Sequence, residues 1–390
     1  MIKPKAYLLR YGELALKGRN RDRFESELLS TLKARIKPLQ GRLEKLHKRL
    51  LLHCEAEPAE VRQALSTVYG LSSVSPIWRT HHKPDQIVDL AWKLVKEHVD
   101  SGKTFAVKVR RSNKQYPIES TDLQRLVAKA LTERGLNLPV NLKEPQLCLG
   151  ITIDFTFAWL YLDTWQGLGG LPVSRASKHL LLLSGGIDSP VAGNLIQKRG
   201  GFLEAIYFHT PPFTVDEALR KVEDLCGVLA AYQGEIQLHV VNFTEIMKAL
   251  RAVCRPSYTV VLSRRLMMQT AERVAGARGC LSLVTGECLG QVASQTIENI
   301  GAIEDNLALP VLRPLIGFDK LEIVGRARAL GTFPISTRPF EDCCSLFSPK
   351  DPLTRARRHL VRLEVEKINP DPMVEEAADQ VSSQTIEATI

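Results

Sequence analysis

No apolar run in the sequence approaches the ~18 residues that a helix needs to cross a bilayer. The first residues, Met1-Ile2-Lys3-Pro4, lead at once into strand-like Ala6-Tyr7-Leu8-Leu9, without the apolar core and small-residue cleavage site of a secretory signal. A cytoplasmic protein with no membrane partner is therefore expected. Cysteine is scarce, with 8 among 390 residues, and no two are spaced C-x-x-C. That excludes a disulfide scaffold, a zinc ribbon and a thioredoxin-type site, so reduced thiols and no protein-held metal centre are expected. Internal repeats and low-complexity tracts are absent. What remains is ordinary globular composition, 44% hydrophobic and 24% charged, in a chain long enough for two or three domains.

The charge is unevenly placed. Residues 1–172 carry 28 Lys and Arg against 18 Asp and Glu, whereas residues 173–390 carry 24 against 25. The whole excess of +9 thus resides in the first half. A basic half joined to a neutral one suggests a polyanion-binding module attached to something else, the plainer alternative being a solvated basic surface.

Along the chain, residues 6–10 alternate as a short strand and Gly12 to Gly18 read as a turn. Asn20 is placed to cap a helix bearing Phe24, Leu28, Leu32 and Ile36 on one face and ending at Pro38. Leu50-Leu51-Leu52 predicts a strand, and Pro58 to Tyr69 a helix stopped by Gly70. A helix follows over 87–99 and a half-buried strand over 104–110. Arg110 and Arg111 open a basic loop through Ser112-Asn113-Lys114-Gln115-Tyr116. Thr121-x-x-Gln124 has the form of a capping box before a helix ended by Gly135. Strands are predicted near 147–155 and 157–163, then a bend or linker at Gly167-Leu168-Gly169-Gly170-Leu171-Pro172. Beyond it, buried strands alternate with helices, the pattern of a parallel α/β sheet. The last ~20 residues are acidic and polar and are expected to fray.

The sharpest motif is Leu181-Leu182-Leu183-Ser184-Gly185-Gly186-Ile187-Asp188-Ser189. A buried strand runs into a glycine-rich turn and then a helix starting near Ser189-Pro190. Such a turn aims free backbone N–H groups and a helix N-terminus at one point, which is an anion site. Gly185 and Gly186 allow close backbone approach, and Ser184 and Ser189 add hydroxyls. The G-K-[ST] ending of a Walker A loop is missing. The string resembles the PP-loop of ATP pyrophosphatases, which implies cleavage of ATP between its α- and β-phosphates.

The resemblance widens through Phe208-His209-Thr210-Pro211-Pro212-Phe213, the segment Thr285-Gly286-Glu287-Cys288 to Ser294-Gln295-Thr296, and Leu312-Arg313-Pro314-Leu315. With the glycine-rich bend at 167–172, these look like the 4-thiouridine synthetase (tRNA uracil 4-sulfurtransferase) family over nearly the whole chain. The resemblance implies an α/β protein with an N-terminal α+β ferredoxin-like unit (1–57), a THUMP RNA-binding domain (58–166) and a parallel-sheet PP-loop ATP pyrophosphatase domain (173–385). It implies ATP held by Leu182, Leu183, Ser184, Gly185, Gly186, Ser189, Tyr207, Phe208, Arg264, Gly286 and Gln295. Arg264 stands where the family has a basic residue in a K-R-M-M helix, here Ser263-Arg264-Arg265-Leu266-Met267, and arginine for lysine is not neutral at a phosphate contact. Asp188 would orient Mg²⁺ or the loop itself. Lys108, Arg110, Arg111 and Lys114 are the expected tRNA contacts, and a homodimer the expected assembly.

The family places a catalytic cysteine in the loop that here reads Arg338-Pro339-Phe340-Glu341-Asp342-Cys343-Cys344-Ser345-Leu346-Phe347. Matching the following residues favours Cys344 over Cys343. Cys54, Cys148, Cys226, Cys254 and Cys280 read as buried small hydrophobes. Arg338 and Lys350 are the cations nearest in sequence that could favour a thiolate, opposed by Glu341 and Asp342. Some family members add a C-terminal rhodanese domain that carries the persulfide, and a chain of this length leaves no room for one. Sulfur is then expected directly from a cysteine desulfurase or through a separate carrier protein, and a role in thiamine thiazole synthesis, tied to that extra domain, is called into question. The implied chemistry is adenylation of uracil O4 followed by sulfur attack at C4. The alternatives are a PP-loop amidotransferase, for which no glutaminase-like segment is evident, and an RNA-binding protein with a decayed ATP site.

Overall fold

The computed structural model describes residues 2–16, 21–46, 49–99, 101–340, 347 and 349–388. These divide into two compact units, Met1–Leu171 and Pro172–Ile390.

The first unit is built on one eight-stranded sheet. Its elements are β1 (Ala6–Tyr11), α1 (Arg21–Ile36), β2 (Arg42–Leu46), β3 (Arg49–His53), α2 (Pro58–Leu65), β4 (Leu71–His81), α3 (Pro84–Val95), β5 (Phe105–Arg111), α4 (Ser120–Glu133), β6 (Leu147–Ile153), β7 (Phe157–Tyr161) and β8 (Trp165–Gln166). The order is β2-β3-β1-β4-β7-β6-β5, with β8 paired to β4. Every fourth residue of α1, Leu28, Leu32 and Ile36, is buried against Tyr7, Leu9, Leu50 and Leu52. Helices α3 and α4 cover Phe105, Val107, Leu149 and Ile151 in a second core on the same sheet. The other set of alternating side chains gathers Leu8, Leu51, Ile77 and Trp159, with Arg79 lying 4.4 Å over the Phe157 ring.

β4 is a strand the sequence pattern concealed. It runs for 11 residues through Pro76 and pairs antiparallel with both β1 and β7. The capping box expected at Thr121 is absent. Glu119 is the N-cap, Ser120 opens α4, and no side chain caps the helix. Asn20 lies outside the described residues.

The second unit is a three-layer α/β domain. Its elements are β9 (Leu171–Leu182), α5 (Asp188–Lys198), β10 (Arg199–His209), α6 (Asp216–Ala230), β11 (Glu235–Asn242), α7 (Thr244–Val253), α8 (Thr259–Arg278), β12 (Leu283–Val284), α9 (Ile297–Ile303), β13 (Val311–Leu312), α10 (Lys320–Leu330), α11 (Phe333–Ser336), α12 (Arg358–Glu366), α13 (Pro370–Asp379) and β14 (Ser382–Glu387). The sheet order is β13-β12-β9-β10-β11-β14. β12 is parallel to both β9 and β13, and β10 to β11. In β10 every residue after Arg199 is buried, as a strand covered on both faces requires. One face packs on α7, α8, α12 and α13, the other on α5, α6 and α10.

Three expectations change here. Leu171 and Pro172 already belong to β9, so the bend is confined to Gly169 and Gly170, both at positive φ. The PP-loop helix starts one residue early, at Asp188. The C-terminal residues do not fray as far as they are described, through residue 388: α13 packs on α8, and β14 adds antiparallel to β11 from Glu235↔Glu387 to Val240↔Ser382. Glu204 explains the attachment. It is buried on β10, with Lys178 Nζ at 2.9 Å, Arg278 Nε at 3.0 Å and His239 Nε2 at 2.7 Å, while His239 Nδ1 meets Ser383 Oγ at 2.7 Å. A polar network thus secures a strand whose own side chains are nearly all exposed.

Candidate active site

Because β9, β12 and β13 are parallel neighbours, the loops that leave them open at one edge of the sheet, where α/β folds place their ligands. Ser184 to Ile187 turns out of β9 into α5. Its two serines stitch the turn together: the Ser184 amide donates to Ser189 Oγ at 3.0 Å, and the Gly186 amide donates to Ser184 Oγ at 3.3 Å. Ser336 Oγ, from α11, donates to the Gly186 carbonyl at 3.1 Å. The hydroxyls foreseen as ligand donors therefore first hold the loop in shape.

Opposite stands the loop after β12. A Cβ on Gly286 would come within 2.6 Å of the Ser189 amide nitrogen and 2.9 Å of the Asp188 carbonyl carbon, so only glycine lets the two loops lie this close. Between them is a cavity of about 510 Å³. Ten of the residues expected at an ATP site line it: Leu182, Leu183, Ser184, Gly186, Ser189, Tyr207, Phe208, Arg264, Gly286 and Gln295. Asp188 lines it too, whereas Gly185 lies buried within the turn. Val260, Met267, Met268 and Ile303 add an apolar wall.

The charged groups at the cavity are paired across long sequence separations. The Asp188 carboxylate accepts from Lys320 Nζ at 2.6 Å and from Gln291 Nε2 at 2.8 Å. Glu287 is buried and takes Arg264 at 3.0 Å on one oxygen, and Arg313 at 2.7 Å and Thr285 at 3.0 Å on the other. Gln295 is buried, with its side-chain oxygen facing the Cys288 amide at 3.4 Å.

Three family models match the chain: the ThiI ferredoxin-like domain over residues 6–75, the THUMP domain over 82–163, and "Thiamine biosynthesis protein (ThiI)" over 174–370. A probable tRNA sulfurtransferase of Thermoanaerobacter pseudethanolicus is 40% identical over 96% of this chain and 98% of its own length. Another, from Brevibacillus brevis, is 41% identical over 97% and 96%. A 4-thiouridine synthetase, solved as an RNA complex with bound ATP, superposes with a TM-score of 0.89 at 33% identity, covering 98% of this chain and all of that one. The chain belongs to the ThiI family of tRNA sulfurtransferases.

In this ThiI-family chain the ferredoxin-like and THUMP regions occupy the first unit and the PP-loop the second. Lys108 and Arg110 lie exposed on β5 and Lys114 on the loop after it. Arg111 differs. Its guanidinium donates to the Tyr116 and Ile118 carbonyls at 3.0 and 3.1 Å and pairs with Glu119 at 2.8 Å, so it closes the loop on itself. Cys343 and Cys344 lie outside the described residues. Cys54, Cys226, Cys254 and Cys280 are buried and Cys148 partly so. Burial pushes the Cys226, Cys254 and Cys148 thiols up, and that of Cys280 to about 12.

Lys320, Gln291, Glu287, Arg313 and Ser336 were given no role from the sequence. One signal was available for Lys320. It is the first residue of α10, after the Asp319 cap, and a cation is disfavoured at a helix N-terminus unless an anion faces it. That anion is Asp188.

Proposed function

We propose that the chain converts a uridine of tRNA to 4-thiouridine at the expense of ATP. The observation that carries this reading is the convergence of the Ser184–Ser189 loop, the α5 N-terminus and Gly286 on one cavity of nucleotide dimensions. Backbone N–H groups of the loop would receive the pyrophosphate end of ATP. Tyr207, Phe208, Leu182 and the methionines of α8 supply apolar walls for the base. Arg264 is already held in place by Glu287, so its guanidinium is preorganised for a phosphate. Lys320, paired with Asp188, would place a second cation next to a residue of the cavity lining.

A hard, oxygen-only ligand beside an anion site suits Mg²⁺, which commonly takes one protein carboxylate and fills its shell with phosphates and water. Among the described residues no cluster of three His, Cys, Asp or Glu could hold a metal unaided. Asp188 is thus the residue that would hold Mg²⁺, and the ion would neutralise charge on the pyrophosphate.

Uracil O4 would attack the α-phosphorus as the α–β bond breaks and pyrophosphate leaves. The terminal sulfur of a cysteine persulfide would then attack C4 and expel AMP. A second thiol cleaves the resulting disulfide, releasing 4-thiouridine and leaving a cystine that an external thiol reduces. Cys344 is the proposed persulfide carrier, charged by a cysteine desulfurase, with Cys343 as a second thiol close at hand. The raised thiols of Cys148, Cys226, Cys254 and Cys280 make poor nucleophiles and favour the pair. The exposed Lys108, Arg110 and Lys114 would bind tRNA phosphates. The assay is thiolation of tRNA with desulfurase and ATP, alongside ATP–pyrophosphate exchange. Cys344→Ser should lose thiolation and keep exchange. Thiolation at the parent rate in both Cys344→Ser and Cys343→Ser would end the cysteine mechanism.

A further inference from the structure

We propose that Lys221 is a positioning residue for sulfur transfer, holding the point from which the cysteine-bearing segment leaves the domain. The inference rests on the reading of Cys344 just given. Lys221 lies on α6 and is 4% exposed. A lysine that deeply buried must direct its charge at specific acceptors, because an unpaired ammonium there would be prohibitively costly. Its Nζ donates to the carbonyl oxygens of Arg338 and Phe340 at 3.1 and 3.2 Å. These residues end the chain immediately before Glu341-Asp342-Cys343-Cys344. One helical turn along α6, Asp224 takes the Arg338 guanidinium. Arg338, the cation first considered for thiolate activation, is therefore engaged in an ion pair, and the buried charge beside this stretch of backbone belongs to Lys221.

The same stretch is joined to the ATP site two residues before Arg338, where Ser336 donates to the Gly186 carbonyl. On the far side, the Phe347 ring meets Phe213 edge-on at 5.4 Å, with Arg251 5.6 Å over it. Phe213 and Lys221 both follow β10, one in the loop and one in the helix. Both flanks of the cysteine pair are thus tied to the frame that shapes the nucleotide cavity. Cys343 and Cys344 are three and four residues from Phe340, a reach of at most about 11 and 14 Å. Releasing the Phe340 carbonyl would alter where a persulfide can be presented, while the loop, Gly286 and Asp188 keep their contacts.

A purely structural lysine would, on removal, depress every activity together. A positioning lysine separates them. The full-length Lys221→Met, Lys221→Gln and Lys221→Arg variants are measured for ATP–pyrophosphate exchange, thiolation with desulfurase, and Tm, beside Cys344→Ser. Since a misplacement of about 1 Å can cost ~10²-fold, Lys221→Met should lose at least about tenfold in thiolation with exchange within about twofold. Lys221→Arg, which keeps the charge and donors, should recover part of the loss. Lys221→Gln makes the same comparison if the methionine variant does not fold. Undiminished thiolation, or exchange falling in parallel with it, would overturn the proposal. A dead Cys344→Ser beside a fully active Lys221→Met would refute only the role of Lys221, whereas an active Cys344→Ser would refute the reading beneath it.

Discussion

Adding one methyl group at Gly286 should disable the nucleotide site while sparing tRNA binding. The new Cβ would lie 2.6 Å from the Ser189 nitrogen, 2.8 Å from its Cα and 2.9 Å from the Asp188 carbonyl carbon, where ordinary contact begins near 3.4 Å. The loops must separate by about 0.8 Å, and every obstructing atom is backbone. The Ser184–Ser189 hydrogen bonds resist that movement on one side, and pairing of β12 with β9 and β13 resists it on the other. A catalytic constellation tolerates displacement of only about 0.5 Å, so exchange of pyrophosphate into ATP should fall roughly 100-fold in Gly286→Ala. The overpacking itself should cost about 1–3 kcal/mol, seen as a Tm lowered by several degrees. Gly276→Ala, on α8 and outside the cavity lining, is the internal control. A Cβ there meets nothing within 4 Å. Its exchange should stay close to that of the parent. Near-parental exchange in Gly286→Ala, or a reversed order of the two variants, would refute the steric argument.

Burial alone would raise the Glu204 pKa, but His239, Arg278 and Lys178 together hold it down to about 2 against an ordinary 4.5. A depressed carboxylate contributes stability that is complete above about pH 4.5 and lost as pH falls toward 2. Glu204→Gln should therefore cost about 3 kcal/mol at neutral pH and flatten the acid limb of a Tm-against-pH curve, and an unchanged acid limb would contradict it. For tRNA, the logarithm of affinity should fall linearly with the logarithm of salt concentration. Lys108→Ala with Arg110→Ala should reduce that slope by roughly 1.5 while leaving ATP–pyrophosphate exchange intact, and an unchanged slope would remove these residues from the interface.

Much of the fold was legible because its elements obey simple periods. The four-residue repeat of α1 buries Leu28, Leu32 and Ile36, and the alternation of 104–110 buries Phe105 and Val107 and exposes Lys108 and Arg110, although Ala106 is buried too. What escaped obeys no local rule. β4 carries Ser72, Ser73, Ser75 and Pro76, a composition that argues for a turn, yet it fills a central place because β1 and β7 both need a partner. β14 is polar and mostly exposed, and its attachment depends on the Glu204–His239–Ser383 connection across 179 residues. No window of sequence contains that network.

The site divides in the same way. Ser184 to Ser189 was readable because a strand, two glycines and a helix start are contiguous, and their geometry follows from backbone physics alone. Lys320 is 132 residues from Asp188, Gln291 is 103, and Arg313 is 26 from Glu287. Such pairs exist only because parallel strands bring successive βα loops to one edge, so they become visible once the sheet order is known. On the proposed function, the pairs would keep the cavity ready. Asp188 and Glu287 hold Lys320, Arg264 and Arg313 beside the place where phosphates would enter, so cations wait at the site without repelling one another. An arriving polyphosphate has only to exchange one anionic partner for another, which keeps reorganisation small. Glu304 takes Arg313 as well, at 2.9 Å, so three carboxylates balance three cations, the form that a site for a highly charged substrate should take before that substrate binds.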